Sequence, residues 1–121
     1  MAMSADPIGQ LLRREGHLPL TIEDRPRLDA LLAAHPALLA AIRESHALAS
    51  RHFPAGSDVC LRVMSDPDVE DAGDFLVFAI RSTDDWDIVQ HRRRAFFDAM
   101  IAGHPQLVGS TIVFRISQVA Q

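Results

Sequence analysis

Apolar positions in the second half of the chain follow a legible rhythm. From Asp58 to Met64 they alternate: Val59, Leu61 and Val63 share one side, and Cys60, Arg62 and Met64 share the other. That period of two predicts a half-buried strand. A polar stretch rich in acid, Pro and Gly follows, Ser65 to Asp74, and predicts a turn. Phe75 to Arg81 is apolar on both sides, which suits a central strand. Asp84 to Ile101 mixes polar and apolar residues at helical spacing, and Thr111 to Ser117 alternates again. The order is therefore strand, turn, strand, helix, strand. We expect an antiparallel hairpin whose second strand is central, with the third strand parallel beside it after a helical crossover.

The first half reads as helical. Pro7 to Arg14 forms a short helix that Gly16 ends. Thr21 and Asp24 give a weak helix-start pattern before a helix from about Asp24 to Ala34, which buries Leu28, Leu31 and Leu32. His35-Pro36 breaks it, because the residue before proline avoids helical angles. Pro36 then falls in the first turn of a helix running to about His52. That helix buries Leu38, Leu39, Ile42, Ala49 and Phe53, and Pro54 and Gly56 stop it. The expectation is a single α+β domain over 1–121, helical over 1–54 and ββαβ over 55–121, with N-terminal helices packed on a three-stranded sheet.

Size and composition fit this. A chain of 121 residues with 48% apolar content forms one core and buries about two-thirds of its surface, without disulfide or metal. The apolar run Phe75 to Ile80, which no other run exceeds, is far short of a membrane span, and no secretory signal is read. With the single Cys60, the default location is cytoplasmic. A net charge of −4 disfavours general nucleic-acid coating. All twelve basic residues are Arg, and Lys, Asn and Tyr are missing, so a GC-rich genome accounts for the Arg content without any phosphate role.

Several groups of residues carry side chains capable of chemistry. In the acidic turn, Asp66, Asp68, Asp71 and Asp74 offer carboxylates to a divalent cation, which would make a small metal-dependent enzyme. Counted from Asp66, however, a calcium loop needs Gly at the sixth place and Glu at the twelfth; these hold Asp71 and Val77. Turn chemistry is the simpler account. Gly56-Ser57 followed by Asp66 and Asp68 has the outline of a nucleotidyltransferase site, but a strand stands where that site needs a helix. Arg92, Arg93 and Arg94 offer a nucleic-acid contact, together with Arg62, yet spread around the helix circumference rather than forming one patch. Of the histidines, His46 is expected in the core, and no pair has metal-ligand spacing. Cys60 is expected to pack, as are Trp86, Phe96 and Phe97. No nucleophile, base and anion hole converge, and no cofactor motif is found.

The second sheet face is the remaining candidate. Arg62, Val113 and Arg115, with Thr111, Leu76 and Phe78, make it more apolar than a solvated face. Covering by the N-terminal helices is the first expectation, and a partner or dimer surface the second. Partner-binding candidates are Arg62, Phe78, Val113 and Arg115.

Some residues also resemble a known group. His52-Phe53-Pro54 precedes the first strand of the hairpin, Ser65-Asp66-Pro67-Asp68 follows it, and Arg94-Ala95-Phe96-Phe97-Asp98-Ala99 precedes the last strand. Together, over about Ser45 to Ser117, these resemble a group of small bacterial α+β proteins of unassigned function. The chain departs from that group where Phe96-Phe97 replaces paired tryptophans. The resemblance implies the fold, and by association a partner-binding role such as an antitoxin's. The expected function is thus a non-catalytic cytoplasmic protein-interaction module, binding a protein partner or itself, with the metal enzyme and the Arg92–Arg94 nucleic-acid binder as alternatives.

Overall fold

A computed structural model of the chain describes residues 7–12, 16–65, 74–104 and 112–118. In order these form α1 (Pro7–Leu12), β1 (Leu20–Ile22), α2 (Arg25–Ala34), α3 (Leu38–His52), β2 (Asp58–Met64), β3 (Phe75–Ser82), α4 (Trp86–Gly103) and β4 (Ile112–Gln118). The strands make one mixed sheet in the order β1-β2-β3-β4. β1 runs parallel to β2, β2 antiparallel to β3, and β3 parallel to β4.

Local chemistry sets the helix ends. Asp24 is the N-cap of α2, and its carboxylate accepts from the Arg27 N–H at 3.2 Å. Thr21 plays no capping part; it lies in β1. The His35 N–H closes α2 on the Leu31 carbonyl at 2.9 Å, and Pro36 falls in the turn before α3 rather than in its first turn. Phe53 caps the far end of α3 in an extended conformation, as a residue before proline should be. Gly56 then turns the chain into β2 with φ of 100°, a backbone angle that costs any residue with a side chain.

The core lies between one face of the sheet and α2, α3 and α4. Val59, Leu61 and Val63 of β2 and Leu76, Phe78 and Ile80 of β3 point into it, with Ile112 of β4. Leu28 and Leu31 arrive from α2, Leu38, Ile42, Leu48 and Ala49 from α3, and Phe96 and Met100 from α4. Phe96 is its aromatic centre. Its ring meets Phe53, Phe97 and Phe114 edge-on, with centroids 5.8, 5.5 and 5.7 Å away.

The α+β class, the antiparallel hairpin and the parallel third pairing match the sequence reading. Four points differ. The sheet has four strands rather than three. In sequence β1 reads as the approach to a helix, because three residues are too few to show a period of two. The N-terminal helices α2 and α3 share their sheet face with α4 instead of covering the opposite one. Leu76 and Phe78 belong to the helix-covered face: the register pairs Phe78 with Leu61 and Phe114, and its exposure is 0%. Lastly, Trp86 is 51% exposed, since the buried line of α4 begins one turn later, at Val89.

Candidate functional site

The sheet face turned away from α2, α3 and α4 is built by alternation. Cys60, Arg62 and Met64 of β2 stand beside Ala79, Val77 and Phe75 of β3. Val113 of β4 continues the Arg62–Val77 row, and Arg115 continues the Cys60–Ala79 row. Val113 is 50% exposed and Met64 38%, while Val77, central in the sheet and flanked in its row by Arg62 and Val113, is buried.

Ion pairs frame this apolar centre. Arg62 donates from Nε to Glu23 at 2.5 Å, and Arg81 holds Asp58 through two bonds of 2.6 and 2.8 Å. The Asp58 hydrogen bonds and charge raise the basicity of Arg81 further above its ordinary value. Arg115 has no carboxylate partner among the described residues.

A groove of about 330 Å³ runs along β4. Residues 113–116 form one side, and Trp86, Val89, Gln90 and Arg93 of α4 form the other. Consecutive residues of β4 point to opposite faces, so a groove touching all four follows the outer edge of the strand. Arg93 is held in place there, its guanidinium 5.3 Å from the centre of the Phe97 ring.

The candidates from sequence fall out unevenly. Arg62, Val113 and Arg115 lie together on the helix-free face, and Phe78 does not. Asp66, Asp68 and Asp71 lie outside the described residues, as does Thr111. Asp74 accepts from the Ser65 hydroxyl and lies 3.6 Å from Arg27. The Ser65 hydrogen bond, followed by Arg27, holds its carboxyl below the ordinary range. Of the arginine run, Arg92 is bound to Asp84 at 2.5 Å and to the His52 carbonyl at 3.0 Å, which ties α4 to the end of α3. His46 is buried as expected, and Cys60 is half-buried on the helix-free face. Among the described residues no three His, Cys, Asp or Glu side chains gather to hold a metal ion. No helix among them is long and apolar enough to cross a membrane.

Sequence reasoning missed the groove. Its signal was faint: a tryptophan at the first position of a helix, three residues before the buried line begins. Compared with known proteins, the chain matches no family model, no curated protein and no solved structure.

Proposed function

We propose that the protein is a non-catalytic, cytoplasmic protein-interaction module that binds a protein partner, or a second copy of itself, through the helix-free face of its sheet and the adjoining edge of β4. The observation that carries this reading is the exposure of Val113 and Trp86 on either side of a strand edge that no described strand pairs, with Met64 exposed two strands away on the face that Val113 shares. Scattered exposed apolar residues are ordinary, but Val113 and Trp86 flank one strand edge, and the ion pairs of Arg62 and Arg81 rim the face that Val113 and Met64 share, which is the anatomy of a recognition patch.

The test combines sedimentation velocity, affinity capture from host extract and the double substitution Met64→Asp with Val113→Asp. Both side chains project from the sheet, so the variant keeps its helical circular dichroism and Tm. It is expected to lose the partner or the self-association that the wild-type chain shows. A wild-type chain that sediments as a monomer and captures nothing overturns the reading.

A further inference from the structure

We propose that the outer edge of β4 takes up an extended, acidic segment of a partner protein as an added strand. The inference rests on the interaction-module reading and specifies the chemistry of its partner. The two edges of the sheet differ. β1 offers three residues and follows directly on Pro19, so it is a poor template. β4 offers seven, Ile112–Gln118, with no proline or glycine among them. An edge strand leaves alternate N–H and C=O groups pointing outward, and only an extended backbone satisfies them in series. A docked helix satisfies its own and leaves these unpaired.

Charge selects the segment. The charged residues lining the groove are Arg93 and Arg115, on a chain whose net charge is −4. Arg93 stands on the helix side and Arg115 on the helix-free side, so cations flank the strand edge on both faces. Neither has a carboxylate partner among the described residues. An incoming strand alternates its side chains between the same two faces. Carboxylates on either face therefore meet an arginine, and an apolar or aromatic residue meets Trp86 on one face or Val113 on the other. A second copy of β4 fits less well. Edge-to-edge pairing about a twofold axis would gather Arg93 and Arg115 from both copies into one strip with no acid between them, and like charges there repel.

The test uses the full chain and a displayed library of random peptides about ten residues long. Enriched peptides are expected to carry Asp or Glu among β-branched residues. When one is synthesised, its affinity should fall at least about tenfold in Arg115→Glu and in Trp86→Ala, hold in Arg115→Lys, and weaken with added salt. Methylating alternate backbone nitrogens of the peptide should abolish binding in one phase and spare it in the other. Enrichment of basic or helical peptides, binding indifferent to Arg115→Glu, or no enrichment overturns the proposal. So does a dimer of the chain that dissociates in Trp86→Ala. If the library fails while the Met64→Asp, Val113→Asp variant still loses a captured partner, the interaction-module reading survives and the added strand does not.

Discussion

His46 donates from Nε2 to the Leu18 carbonyl at 2.7 Å, and Ser50, one turn further along α3, accepts from the Leu18 N–H at 3.0 Å. These two side chains clip the segment entering β1 onto α3. The sheet completes the attachment, since Val59 donates to the Pro19 carbonyl at 2.9 Å and Glu23 donates to that of Leu61 at 3.0 Å. Replacing His46 by Leu keeps the volume and strands a buried carbonyl. It should cost about 1–3 kcal/mol and lower Tm by several degrees in thermal denaturation. Asp74 sets a different dependence. Its folded pKa is depressed by Ser65 and then Arg27. Its contribution is therefore complete above the unfolded value of about 3.9 and is lost as pH falls below that. Titration followed by NMR should place its midpoint below the usual carboxylate value. Asp74→Asn should flatten the acid limb of the stability curve while leaving stability between about pH 5 and 8 independent of pH at this site.

At the scale of elements, α4 does two jobs with one face. Val89, Phe96 and Met100 bury it against the sheet, and the turn before them holds Trp86 in the open. Phe96→Ala should cost about 3–5 kcal/mol by emptying the aromatic centre. Trp86→Ala should stay within about 0.5 kcal/mol, as exposed sites do. Urea denaturation compares the two directly, and acrylamide should quench the single tryptophan efficiently in the folded chain. The sequence was legible where side chains obey a period long enough to count. β2 came out at its observed bounds, β3 and β4 within a residue, and α2 and α3 within two. It was illegible where burial depends on which elements meet. Phe78 and Val77 are adjacent apolar residues of a central strand, and only the register with Leu61 and Phe114 decides that Phe78 faces the helices. β1 owes its place to His46 and Ser50, residues that lie a helix away in sequence. For the site, alternation alone placed Arg62, Val113 and Arg115 on one face. The α4 wall of the groove needed the packing angle of the helix.

For the whole molecule, stability should be graded across the sheet. β3 is paired on both sides and faces Phe96, whereas β1 is short and held at its entry by side chains. Amide exchange should be slowest in β3 and the facing part of α4, and fastest among the strands at β1. A reversed order would mean that the N-terminal half, not the Phe96 centre, holds the domain together. The strand order has one more consequence. β1–β2 and β3–β4 are each a parallel pair bridged by helix. The second pair runs opposite to the first, both steps go the same way across the sheet, and all the bridging helices α2, α3 and α4 lie on one side. Two such bridges cannot share one handedness, so one of them is left-handed, the sense found in only about 2% of bridged parallel pairs. The two halves are thus related as opposite hands rather than as superposable copies of one bridged pair.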